Sequence, residues 1–187
     1  MFLKEKIKSY LQGLQSYSNI RLILEITFVS NLLRFLAVFA FTIIYIFLGP
    51  ERFIYSIGDS SGPIKDLFTD TGNIENTIAY FVILTILVPI TETILGQFLP
   101  IKIGSLFTKN SFFLVSLSTI AFVLLHIGTA PSQVAMALFM GPILGIVYLL
   151  KNKVSSVWTT IGVVFAIHAL TNLLAVITVW WFLFLQR

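Results

Sequence analysis

Glu92 stands in LVPITETILGQF, residues 87–98, inside a run that is otherwise lipid-soluble. A charge at the centre of a membrane helix costs about 2.5–3.5 kcal/mol even on insertion scales. Both histidines of the chain are placed in the same way, His126 at the end of FVLLH and His168 at the start of HALTN. Each has a companion one helical turn away on the same face, Phe122 for His126 and Asn172 for His168. A lone histidine in an apolar helix is commonly a satisfied core residue. One acid and two imidazoles on three apolar segments are all satisfied at once if they meet in a single polar pocket. Such a set supports three chemistries. A carboxylate beside an imidazole can take a proton from water and pass it on. Glu92, His126 and His168 with a water would suit a catalytic zinc. Embedded acids and histidines also form proton paths. No HExxH is present and ligands on separate helices offer no spacing test, so the residues alone leave metal-dependent and metal-free hydrolysis open.

Those residues sit in a chain of 187 residues that is 57% hydrophobic and 11% charged, with a mean hydropathy of +0.96. These values lie outside the range of soluble folds and mark an integral membrane protein. There is no cysteine, which removes disulfides, thiolate catalysis and a Cys-based zinc site. The net charge of +4 does not point to nucleic acid, because the basic residues fall where cytoplasmic membrane loops would put them.

A hydrocarbon core about 30 Å thick needs roughly 20 apolar residues in a helix. Five stretches meet that test: about Thr27–Leu48, Asn76–Leu99, Ser111–Ile127, Ser132–Leu150 and Ser155–Leu185. The last is too long for one upright crossing, and must be broken, tilted or extended beyond the bilayer. Before the first span, FLKEKIKSYLQGLQ places Leu3, Ile7, Tyr10, Leu11 and Leu14 at helical spacing with lysines largely off that face, as in a helix lying on an anionic membrane surface. No small-residue cleavage site follows the first apolar run, so that span is expected to be retained. The expected fold is an all-α integral membrane protein. It is a bundle of about five transmembrane helices with an N-terminal amphipathic interfacial helix, in one domain covering 1–187.

With the N-terminus inside, the cytoplasmic segments hold Lys4, Lys6, Lys8, Arg21, Lys102, Lys109, Lys151 and Lys153, and the outer ones only Arg52, Lys65 and Arg187. A multi-pass protein of the cell membrane with a cytoplasmic N-terminus is therefore expected. The 50–75 connection, rich in Gly, Ser, Asp and Pro, is expected to be an external loop. Arg34, about seven residues into the first span, reads as a structural residue snorkelling to the near interface. Counted from the cytoplasmic ends, His126 lies about 22 Å and His168 about 20 Å deep, but Glu92 only about 10 Å. The mismatch shrinks to a few ångströms if the second helix continues through Pro100 to about Gly104.

The order of PITE at 89–92, FxxxH at 122–126, GPILGIVYL at 141–149 and HxxxN at 168–172 resembles the CPBP or Abi family, the CAAX-prenyl-protease and bacteriocin-processing family of intramembrane proteases. The resemblance covers about residues 76–180, the expected catalytic core. That family's first motif reads Glu-Glu-x-x-x-Arg. Here the first carboxylate is Glu92, the second is replaced by Thr93 and the arginine by Gln97. Losing one partner of a buried ion pair costs about 3–5 kcal/mol, whereas losing both together can be nearly neutral. The change therefore reads as a structural pair exchanged for a neutral one, with Thr93 and Gln97 bonded across one turn.

The resemblance implies an intramembrane endopeptidase acting on a membrane-embedded or membrane-associated peptide. A water would be activated by Glu92 and His126, and His168 with Asn172 would donate to the oxyanion. Phe122 would position the His126 ring, and Gly141 and Gly145 would permit close helix packing. The family's mechanism favours the metal-free version, with no cofactor assigned and zinc on Glu92, His126 and His168 as the alternative. Two other function classes compete. A catalytically silent member would act by binding, in bacteriocin self-immunity or regulation of a membrane partner, and the altered first motif supports it. A small transporter or proton path would use the same embedded groups, but no internal repeat accompanies them.

Overall fold

A chain that must satisfy its backbone without water has little choice but helix, and among the described residues all regular structure is helical. The computed structural model describes residues 2–48, 74–129 and 131–185. Helix α1 covers Phe2–Ser16 and α2 Asn19–Leu48. Helix α3 is a continuous run from Ile74–Val82 through Ile83–Leu87, Val88–Glu92 and Thr93–Phe98 to Leu99–Phe107. Helices α4, α5 and α6 cover Ser111–Leu124, Pro131–Asn152 and Val157–Leu185. The expected external loop lies outside the described residues, apart from its last two positions in α3.

Stretches Ile78–Phe107, Gln133–Asn152 and Val157–Thr178 are long and apolar enough to cross a membrane, and Ser111–Leu124 is a shorter apolar helix. The first expected span, 27–48, falls within α2, whose side chains are described as far as Leu36. The fifth is settled as one unbroken helix of 29 residues, about 44 Å long. The third ends earlier than expected. His126 N–H bonds to the Val123 carbonyl and Ile127 N–H to that of Leu124, tightening the last turn, and Gly128 takes φ +93, a left-handed conformation open to glycine at no steric cost.

The second span departs most from expectation, and its prolines explain why. Proline has no N–H and its ring collides with the carbonyl four residues back. In α3 each proline is preceded by a wide π turn: Val88 N–H bonds to the Ile83 carbonyl ahead of Pro89, and Leu99 N–H to the Ile94 carbonyl ahead of Pro100. The extra residue in the turn lets the helix pass both prolines unbroken. It therefore runs past Leu99 to Phe107 and sets Glu92 about 22 Å from that end, level with the depths expected for the two histidines.

The core gathers Leu114 and Phe122 of α4, Leu144, Val147 and Tyr148 of α5, and Val163, Val164 and Ile167 of α6. Helices α4 and α5 approach at glycines, where a Cβ on Gly141 would lie 3.1 Å from Thr119 Cα and one on Gly145 3.1 Å from Ser118 Oγ. Helix α1 folds back with Leu14 buried near Leu22 and Ile26, and Tyr10 Oη donates to Glu25 Oε1 at 2.8 Å. Large apolar side chains such as Phe28, Phe35, Ile103, Phe112 and Trp158 face outward, a surface suited to lipid rather than water.

Candidate active site

Glu92 closes the short α-helical segment between the two π turns of α3. Its Oε1 lies 3.4 Å from His126 Nε2 and its Oε2 lies 3.2 Å from His168 Nε2. Three helices thus bring the embedded acid and both imidazoles into one cluster. The side chains of Glu92 and His126 keep 14% and 17% of their surface, whereas His168 keeps 5%. Glu92 and His126 are thus partly exposed and His168 is nearly enclosed. A cleft of ≈ 290 Å³ lies beside Glu92, lined by Leu87, Val88, Thr91, Glu92 and Leu125.

Local backbone irregularities orient both rings. The tightened end of α4 sends the His126 N–H to Val123, so the Phe122 carbonyl lacks its usual partner four residues on. The His126 ring takes that place, its Nδ1–H donating to the Phe122 carbonyl at 2.8 Å. The Nε2 lone pair of the neutral ring is then directed at Glu92, and one proton can be held between them. His168 Nδ1 is buried with no partner among the described residues. A hydrogen there would have nothing to bond, so the ring hydrogen belongs on Nε2, toward Glu92.

Phe122 is buried and touches both rings, with centroids 5.0 Å from His126 and 5.5 Å from His168. Its expected contact with His126 is present, and the second was not legible in the FxxxH spacing. Its seat is Gly96, where a Cβ would come 2.8 Å from Phe122 Cδ2 and 3.2 Å from Phe122 Cα. Sequence reasoning missed Gly96, whose only signal was a small residue one turn after Glu92.

Asn172 Nδ2 donates to the Leu84 carbonyl at 3.2 Å. In the π register of Ile83–Leu87 that carbonyl would receive its hydrogen from residue 89, which is proline. One amide hydrogen of Asn172 therefore ties α6 to α3, and the other remains for a ligand.

Thr93 and Gln97 are both fully buried beneath Glu92, but the hydrogen bond expected between them does not form. They are spanned by the π turn, in which i and i+5 rather than i and i+4 align. Gln97 Oε1 instead accepts from Ser118 Oγ on α4. Thr93 Oγ1 and Gln97 Nε2 have no partner among the described residues.

Arg34 Nη1 donates to the Thr171 carbonyl on α6 at 3.5 Å, a neighbour that its place in the first span did not indicate. Glu92 turns one oxygen to each ring. No group of three His, Cys, Asp or Glu side chains suited to a metal ion occurs among the described residues.

The family described as type II CAAX prenyl endopeptidase Rce1-like matches residues 74–174, more than half of the chain. No curated protein and no solved structure matches it. The matched region begins with α3 and holds Glu92, Phe122, His126, His168 and Asn172, but not α1 or α2.

Proposed function

Because this chain belongs to the Rce1-like family of type II CAAX prenyl endopeptidases, we propose that it is an intramembrane endopeptidase that hydrolyses a peptide bond of a membrane-associated peptide or protein. The observation that carries the reading is the carboxylate of Glu92 set between two imidazoles, 3.4 and 3.2 Å away, at the edge of a cleft in an apolar bundle.

The chemistry follows from the hydrogen positions. A water in the cleft gives a proton to the Glu92–His126 couple as its oxygen attacks the peptide carbonyl. As the couple takes up the proton the charge on Glu92 falls, and His168 Nε2–H, which rests on Glu92 Oε2, is released to donate with the free amide hydrogen of Asn172 to the developing oxyanion. The C–N bond then breaks, and the proton held by the couple passes to the leaving nitrogen, so one water is consumed and an acid and an amine result. Phe122 holds both rings at fixed tilt while this occurs. Every group needed is supplied by the chain, so the proposed reaction is metal-free. By the distribution of Lys and Arg we place the N-terminus in the cytoplasm of a cell with the protein in its plasma membrane.

The test compares peptides released from membranes carrying wild type, Glu92→Gln or His126→Ala, with and without a chelator. Each substitution is expected to abolish release while the protein still accumulates, and the chelator to have no effect. Normal processing by both variants would refute the assignment. The binding-only reading draws on the neutral Thr93 and Gln97, and predicts an unchanged phenotype in both variants.

A further inference from the structure

Helix α2 lies outside the matched region, yet it delivers a cation to the site. Arg34 is near the middle of its 30-residue helix, partly buried against α6. Its one hydrogen bond there, to the Thr171 carbonyl at 3.5 Å, is long and weak, and a guanidinium has five N–H donors. Thr171 adjoins Asn172 and follows His168 by about one helical turn, and Arg34 is within electrostatic reach of His168. On the same face of α2, one turn earlier, Ser30 is 1% exposed, with a hydroxyl that has no partner among the described residues. No carboxylate among the described residues lies within ion-pair distance of Arg34, and both oxygens of Glu92 are occupied by the histidines.

A guanidinium in an apolar bundle without a counter-ion is costly and is retained where an anion arrives. Arg34 lies about seven residues, or about 10 Å, inside the apolar run that begins at Thr27, so a lipid phosphate is the competing anion, and the test below separates it from a peptide carboxylate. Arg34 meets Thr171, one helical turn from His168, whose Nε2 is 3.2 Å from Glu92 Oε2, and an extended peptide advances about 3.3–3.6 Å per residue along such a path. Resting on the hydrolytic reading above, we propose that Arg34, with the Ser30 hydroxyl, binds a carboxylate of the peptide substrate, either its C-terminal group or an acidic side chain, while the scissile carbonyl lies at Glu92. Arg34 would thereby set both specificity and register of the cut.

The experiment uses full-length Glu92→Gln protein in detergent micelles, so that the peptide stays intact and binding is read without turnover. The probe is one fluorescein-labelled apolar dodecapeptide in three forms: free acid, C-terminal amide, and amide with a single glutamate near its end. Fluorescence anisotropy is expected to show about 10- to 100-fold tighter binding of a carboxylate form over the plain amide, the range of a charged hydrogen bond. Preference for the first form identifies the C-terminus, and for the third a side chain. Adding Arg34→Gln should erase the preference while leaving amide binding unchanged, and Arg34→Lys should keep part of it, which also guards against a variant that does not fold. Equal binding of all forms, equal weakening of all forms by Arg34→Gln, or a phospholipid that copurifies with the parent protein but not with Arg34→Gln overturns the proposal. Wild-type digestion separates the two readings. Glu92-dependent cleavage of acid and amide at equal rates leaves the protease and removes the anion site. Carboxylate preference without any cleavage does the reverse.

Discussion

Replacing Gly96 by alanine tests whether the seat of Phe122 governs the catalytic geometry. A Cβ at that position would stand 2.8 Å from Phe122 Cδ2, 3.2 Å from its Cα and 3.3 Å from its Cβ, where ordinary contact begins at 3.4 Å. The ring edge must therefore retreat by about 0.6 Å, and the contact with Cα means that rotation of the ring alone cannot relieve it. Overpacking of this kind costs about 1–3 kcal/mol, and alanine's better helix propensity returns about 1 kcal/mol. The net loss of about 0–2 kcal/mol lowers Tm by at most several degrees in a chain of this size. Activity is more sensitive, because Phe122 lies against both His126 and His168. A 1 Å misplacement can cost about 100-fold, so a shift of half that size should cost about 10-fold. The assay measures thermal unfolding in detergent and Glu92-dependent peptide release for Gly96→Ala, Phe122→Leu and the double variant. The double variant should regain stability relative to its parts, since the colliding ring edge is gone, but not rate, since the imidazoles have lost their support. Wild-type rate and Tm in Gly96→Ala would refute the close approach of α3 and α4 on which the reasoning rests.

Three further outcomes are expected. Asn172→Ala should cost about 1 kcal/mol in detergent unfolding by leaving the Leu84 carbonyl unpaired, and Asn172→Asp should cost more, since an ionised carboxylate cannot donate to it. Thr93→Glu and Gln97→Arg each bury a lone charge at a fully enclosed position, a cost of about 3–5 kcal/mol; immunoblots of the membrane fraction should show both variants depleted relative to wild type. At the docked α1, burial foremost, then the hydrogen bond to Glu25 and that residue's charge, push the Tyr10 hydroxyl from 10.0 up to about 12. The fold favours the protonated phenol, so its contribution is complete below pH 10 and lost as pH rises from 10 to 12. Phenolate absorbance that develops at the ordinary tyrosine pH, and is absent from Tyr10→Phe, would contradict the contact.

Glu92, His126 and His168 were legible because unpaired polar groups are conspicuous against apolar runs, and each needed a partner that only the other two could provide. Thr93 and Gln97 were legible as a linked change but not in their bonding. An α-helical spacing was assumed where Pro100 demands a π turn, and Ser118 took the bond. The contact of Arg34 was not legible, because its distance along the chain from the interface says nothing of which neighbouring carbonyl lies beside it. Gly96 could not be singled out, since a glycine in a membrane helix is unremarkable until the ring that occupies its missing side chain is known.

The sequence by itself determined the membrane class, the helical fold and the identity of the groups able to do chemistry. These depend on apolar run length, backbone hydrogen bonding and residue type, all of which are sums taken locally along the chain. The tertiary structure alone decided that α3 passes both prolines, that Glu92 shares its two oxygens between the rings, that Asn172 meets the Leu84 carbonyl, and that Arg34 stands against α6. Each of these depends on how far a helix is rotated and advanced relative to its neighbour. One extra residue in a π turn changes that phase without changing a single letter of the pattern.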